Sequence, residues 1–219
     1  FTVRLEDSSG TLIRTYTNNN AGNQRNITGA WVSTPTSSSA VWAGSNSDFN
    51  LTNTYSLPSG IKYIDINTQI EAKVAIGKLW FGRFIDPDAV AAAGDSSATD
   101  NVLGYGAIPR TNVAFSEATT SRYALGLYTA QTTGSYGAGI SPGWSTNPKD
   151  YLNNTNGVNA VRGDYTIGLG FAVSILASII NFVVAQILLN MKNLQKQRNE
   201  YNNRLKKSHT PQKPPAHYK

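Results

Sequence analysis

The side chains that most often carry out chemistry are scarce in this sequence and unevenly placed. There is no cysteine, and both histidines, His209 and His217, lie near the C-terminus. Everything upstream therefore lacks thiolate nucleophiles, disulfides, imidazole bases and the usual ligands of zinc or copper. Carboxylate chemistry stays open, since a pair of Asp or Glu suffices for glycoside hydrolysis, but no spacing singles out such a pair. The expectation is a protein that is not an enzyme and needs no cofactor.

Other residues bear on binding. Asp86-Pro87-Asp88, with Asp95 and Asp100 downstream, offers the oxygen ligands that calcium takes. The spacing is not that of an EF-hand loop, and a solvated loop with Asp88 capping a short helix over 88–93 is the better reading, so no metal site is assigned. Trp31, Trp42, Trp80 and Trp144 could floor a sugar-binding platform, yet four indoles in a β core need no ligand to explain them. Asn26, Asn50 and Asn153 each begin an Asn-x-Ser/Thr sequon and are candidate glycosylation sites. Arg162-Gly163-Asp164 is the tripeptide integrins read, but it abuts a hydrophobic stretch and is taken as coincidence.

Period-two alternation marks the elements that must hold these groups. Thr2–Asp7 and Thr11–Thr17 flank Ser8-Ser9-Gly10 and read as a hairpin, with Val3 and Leu5 inward against Leu12 or Ile13. Ile61–Phe84 is the strongest β signal, with Ile64, Ile66, Ile70, Ala72, Val74, Ile76, Leu79 and Phe81 at inward positions. Arg122–Ala130 reads as a further strand. Thr17–Gly29, Ser33–Ala40 and Thr132–Thr146 are rich in Gly, Ser, Asn and Pro and read as connections. The fold class expected for residues 1–166 is mainly β, an antiparallel β-sandwich of jelly-roll or immunoglobulin-like type.

Ile167–Leu189 has no charged residue over its length. As a helix it would span about 35 Å, against roughly 30 Å of hydrocarbon, and it is expected to be a single C-terminal transmembrane α-helix. Gly170, Ser174, Ser178, Asn181 and Ala185 would then share one face, a stripe of small and polar residues suited to packing on another transmembrane helix, of a second copy or of a partner subunit. From Asn190 onward eight basic residues stand against Glu200 alone, although the whole chain carries only +6. That asymmetry places the tail, residues 190–219, in the cytoplasm or a virion interior and residues 1–166 outside.

The tail continues a three-four apolar spacing to about Lys207 and then turns proline-rich. Lys192, Lys196, Arg198, Arg204, Lys206, Lys207 and Lys213 are expected to contact an acidic partner: anionic lipid, protein or nucleic acid. The chain begins with Phe1, and an outer domain ahead of its anchor implies a removed signal peptide. Together these features describe a single-pass type I membrane glycoprotein, a structural or accessory envelope component in a virion membrane or cell-surface complex, belonging to a larger assembly. The alternatives are a receptor-binding or adhesion module, and a non-catalytic subunit of a membrane enzyme or transporter.

Overall fold

The structure is a computed structural model describing residues 1–18, 27–60, 62–88, 95–174 and 179–190, with Ile179–Asn190 described by its backbone. Among the described residues fourteen strands and one short helix follow in the order β1 (Thr2–Glu6), β2 (Leu12–Thr17), β3 (Thr28–Trp31), β4 (Ser39–Ser45), β5 (Phe49–Ser56), β6 (Tyr63–Ala72), β7 (Lys78–Ile85), β8 (Thr99–Leu103), β9 (Val113–Ala118), β10 (Tyr123–Tyr128), β11 (Ser135–Pro142), α1 (Pro148–Leu152), β12 (Ala160–Gly163), β13 (Tyr165–Ser174) and β14 (Ile179–Asn190). The fold is mainly β, as the alternation implies. A five-stranded sheet runs β11-β13-β7-β1-β2 and a nine-stranded sheet runs β12-β8-β9-β10-β14-β6-β5-β4-β3.

One apolar core is shared by residues of both sheets. Val3, Leu5, Leu79, Phe81, Ile140, Ile167, Leu169 and Phe171 come from the smaller sheet, and Phe49, Leu51, Ile70, Leu103, Ala114 and Leu127 from the larger. Side chains as fully buried as Ile167, Leu169 and Phe171 each contribute about 1.5–3 kcal/mol. The β1–β2 hairpin forms as its alternation requires, but its partners differ from expectation. Val3 lies opposite Tyr16 and Leu5 opposite Arg14, while Leu12 and Ile13 stay exposed. The Tyr16 hydroxyl donates to Asp48 Oδ2 at 2.6 Å, tying β2 to the turn before β5. Within 61–84, Ile66, Ile70, Ile76, Leu79 and Phe81 are buried, whereas Val74 is exposed in the bend between β6 and β7.

The main difference from expectation concerns the described residues of Ile167–Leu189, which are strand. Tyr165–Ser174 is a strand between β11 and β7, and Ile179–Asn190 is a second strand that pairs with β6, from Ile179 opposite Glu71 to Ile187 opposite Tyr63. The physical reason lies in burial on both faces. One face of β13 enters the core through Ile167, Leu169 and Phe171, and the other lies beneath α1. A strand covered on both sides loses polar alternation and reads as a continuous apolar run, the pattern that a membrane helix also shows. Among the described residues no helix is long and apolar enough to cross a membrane, a statement that leaves strands aside.

The glycines of Thr132–Thr146 misled in the opposite direction, because that connection contains β11. Gly137 faces Gly170, Gly139 faces Gly168, and Gly170 faces Gly82, so a patch without side chains spans β11, β13 and β7. On it rests α1, started by Pro148 and by Asn147, whose side chain accepts from the Lys149 amide at 3.3 Å. A Cβ at Gly139 would meet Tyr151 Cα at 2.7 Å, and one at Gly170 would meet the Leu152 amide nitrogen at 2.5 Å. Those glycines are needed for close approach of the helix backbone.

Candidate recognition surface

The larger sheet has four more strands than the smaller one, and the surplus is evident at β3, whose four residues are all exposed. Phe49, Leu51 and Asn53 of β5 face the core. Asn53 pairs with Trp42, and Trp42 with Trp31, so both indoles stand on this same inner face as it extends past its cover. The Trp42 ring lies over Gly44 and Gly29, where any side chain would collide with it. Trp31 is 54% exposed and its ring centroid is 5.9 Å from that of Tyr55. Phe1 meets Trp42 edge-on at 5.8 Å. The overhang is thus an aromatic face in contact with solvent, backed by half-buried rings that hold its shape.

At the root of this face stands Arg83. Leu79 and Phe81 of β7 point inward, and two residues further the same register places a guanidinium between the sheets. Its Nη2 donates to Asn53 Oδ1 at 3.1 Å, an oxygen that also accepts from Thr68 Oγ1 at 2.7 Å. The Phe1 and Tyr55 rings flank it, each with its centroid 5.9 Å from the guanidinium carbon. Burial pushes its pKa below the ordinary arginine value, partly countered by Tyr55, yet an arginine stays charged. Two donors here, Arg83 Nε and Asn53 Nδ2, are buried with no hydrogen-bond partner. Sequence reasoning passed over Arg83, Asn53 and Tyr55; the available signal was a cation in register with the two inward residues before it.

The other two indoles belong to a different construction. Trp80 is buried on the outer face of β7, with Lys78 Nζ 4.2 Å and Lys149 Nζ 4.6 Å from its ring. Its indole nitrogen donates to Glu6 Oε2 at 2.8 Å, and Glu6 Oε1 pairs with Lys149 at 2.5 Å and Arg4 at 2.9 Å. Desolvation alone would raise the Glu6 pKa, but hydrogen bonds from Lys149, Trp80 and Arg4 outweigh it and hold the carboxyl at about 2. Trp144 packs edge-on to Phe84 at 5.3 Å, and Phe84 stacks on Tyr151. This network fastens α1 to the smaller sheet.

The acidic residues regroup. Asp86 and Asp88 converge with Asp164, all exposed, with carboxylate oxygens within 4.8 Å of one another. Partial burial and then the charges of Asp88 and Asp164 raise the Asp86 pKa. Asp95 and Asp100 take no part. Asp95 accepts from the Ser121 amide at 2.7 Å and from the Thr119 hydroxyl at 3.1 Å, with its pKa held low. Asp100 receives Arg162 on both oxygens at 2.7 and 2.9 Å, so the arginine of Arg162-Gly163-Asp164 is engaged across the β8–β12 ladder.

The remaining sequence-derived sites separate. Gly170 does receive a helix, but the helix is α1 and not a membrane partner. Ser174 ends β13, Asn181 and Ala185 lie in β14 opposite Gln69 and Asp65, and Ser178 falls outside the described residues. Asn153 is exposed at the C-cap of α1. Asn50 is half-buried in β5 at an open trough on the outer face, and its amide donates to Glu71 Oε2 at 3.2 Å. Asn26, the tail cations Lys192, Lys196, Arg198, Arg204, Lys206, Lys207 and Lys213, and residues 89–93 of the expected short helix lie outside the described residues.

No protein-family model and no curated protein matches this sequence. Among solved structures, a bacterial glucoamylase complexed with acarbose aligns with 92% of this chain at 12% identity and a TM-score of 0.44. The chain spans 29% of that enzyme's length, and a likeness this slight carries no argument.

Proposed function

We propose that this chain is a non-catalytic recognition module, an oversized antiparallel sandwich that binds ring-bearing ligands on the aromatic overhang. The observation that carries this reading is Trp31, a large indole 54% exposed on the core-side face of an edge strand and ringed by Trp42 and Tyr55. Exposed aromatic surface with rigid backing offers contact area at little cost in side-chain entropy. Saccharides, whose apolar faces stack on such rings, are the ligand class. The test is a glycan microarray probed with the full chain in mild detergent, alongside Trp31→Ala and Tyr55→Ala variants. Specific binding that falls at least tenfold in Trp31→Ala supports the reading, and binding that both variants retain overturns it.

A second reading, a membrane-attached envelope or cell-surface component, is favoured by a separate observation. No charged residue occurs between Asp164 and Lys192, and the basic tail follows at once. The first part of this stretch is committed to β13, so an anchor would have to come from the residues beyond it, with Ile179–Asn190 leaving its sheet. Retention of the full chain in the bilayer after alkaline carbonate washing supports attachment, and complete release opposes it. In that arrangement the overhang would be displayed outside and the cationic tail would meet an acidic interior partner.

A further inference from the structure

The nine-stranded sheet ends at β3, and that edge is left ready for another strand. The Val32 amide donates to Val41 O at 2.8 Å, which fixes Thr28, Ala30 and Val32 as the residues whose backbone groups bond β4. By the same alternation Gly29 and Trp31 turn their N–H and C=O groups away from β4, towards the open side. Among the described residues no strand pairs with them. Edge strands are ordinarily protected by a charged side chain, a proline or a bulge. β3 has none of these: its four residues are exposed, its register with β4 is unbroken, and no charged residue occurs from Ile27 to Ala40.

We infer that β3 pairs antiparallel with β3 of a second copy, about a two-fold axis through Ala30, joining two nine-stranded sheets into one. In this register Gly29 of each copy lies opposite Trp31 of the other, and every outward N–H and C=O of both strands gains a partner. Centring the pair on Gly29 or Trp31 instead would draw in Ile27 or Ser33, which lie outside the strand. The occupant is a second copy because the edge complements itself. Being uncharged, it meets its own image without like-charge repulsion, and Gly29 has no side chain to obstruct the opposing Trp31, which enters beside the Trp42 ring. Pairing is edge to edge, so the core-side face stays open and the Trp31, Trp42 and Tyr55 rings of both copies form one floor. The inference goes beyond the recognition reading and stands whether or not a saccharide binds. Two four-residue strands are small beside the roughly 800 Å² per partner of a standard interface, so the dimer is expected to dissociate on dilution.

The chain has no cysteine, so Ala30→Cys gives it a single thiol at the axis. A non-hydrogen-bonded antiparallel pair sets its Cα atoms about 4.5 Å apart, within the roughly 4.4–6.8 Å that a disulfide spans. In the full chain in mild detergent, gentle oxidation is expected to cross-link Ala30→Cys at least tenfold faster than Gln69→Cys, an exposed position on the same face of an interior strand. Sedimentation of the unaltered chain should show monomer giving way to dimer between about 1 and 200 μM. Ala30→Lys and Ala30→Glu each place like charges opposite one another and should each weaken dimerisation at least tenfold, while an equimolar mixture of the two restores it. Equal cross-linking at the two positions, a dimer indifferent to charge at Ala30, or a monomer throughout that range overturns the pairing. Should either charged variant fail to fold, the cross-linking ratio and the sedimentation of the unaltered chain still decide.

Discussion

Two faces of this molecule use glycine beneath a large group, with opposite outcomes. Under α1, Gly82, Gly137, Gly139, Gly168 and Gly170 let a helix backbone settle onto the smaller sheet, and the surrounding polar groups Glu6, Lys149 and Trp80 are all engaged. On the overhang, Gly29 and Gly44 let the Trp42 indole lie flat, but among the described residues no second layer covers Trp31, and Arg83 Nε and Asn53 Nδ2 are buried without a partner. The first face is finished by the protein itself. The second leaves Trp31 in water, and on the function proposed above a ligand would complete it.

The largest effect that bears on this contrast is expected beneath α1. Gly168→Val should destabilise the fold by about 3 kcal/mol or more, because its side chain would occupy the space of the fully buried Tyr151 ring, and chemical denaturation would measure it. A loss under 1 kcal/mol would show that α1 is not seated as described.

Next comes Glu6→Gln, expected to cost about 2–3 kcal/mol at neutral pH by leaving Lys149 and Arg4 without their carboxylate. The folded pKa of Glu6 is depressed to about 2, so its contribution is present above the unfolded carboxyl value and lost as pH falls from about 4.5 towards 2. Thermal melts of the variant should lack that component of acid sensitivity; parallel pH profiles for variant and parent would refute the assignment.

On the overhang the ranking reverses, with large effects on binding and small ones on stability. Trp31→Ala should change stability by no more than about 1 kcal/mol, since more than half of the side chain is already in water. A melting temperature that collapsed would mean that Trp31 is a core residue, and the two faces would then be alike. The smallest effect is expected at the acidic trio. Asp164→Asn should lower the raised Asp86 pKa by removing a neighbouring like charge, a shift visible in an NMR titration, with stability at neutral pH rising by less than about 0.5 kcal/mol. An unmoved Asp86 would place Asp164 elsewhere.

Much of the fold was legible where one face of a strand meets water. The strand β6, where Ile66, Thr68 and Ile70 are buried between the exposed Asn67, Gln69 and Glu71, follows its alternation because burial on one side alone writes a period of two into the residues. That signal vanishes in β13, where core and helix cover both faces, and the apolar run that remains is one a membrane helix also shows. It vanishes again in β11, where Gly137 and Gly139 serve the approach of α1 and resemble loop residues. The candidate surface was legible in its parts but not in its assembly. Trp31 and Trp42 read equally well as core residues, since an indole carries no mark of which sheet outgrows the other. Arg83 could have been found, because a charged residue continuing an inward series conflicts with burial and asks for an explanation.

The position of β14 has a consequence for how the polypeptide matures. In the nine-stranded sheet it stands between β10 and β6, so each half of that sheet is built from residues made earlier, while the piece that joins them comes late in the chain. During vectorial synthesis both halves must wait with open edges, and the same delay holds for β13, which joins β11 to β7 in its own sheet. A ribosome that stalls before Ile167 would release not a smaller version of this protein but two half-sheets seeking a third, and chaperone demand should peak just before the last strands emerge.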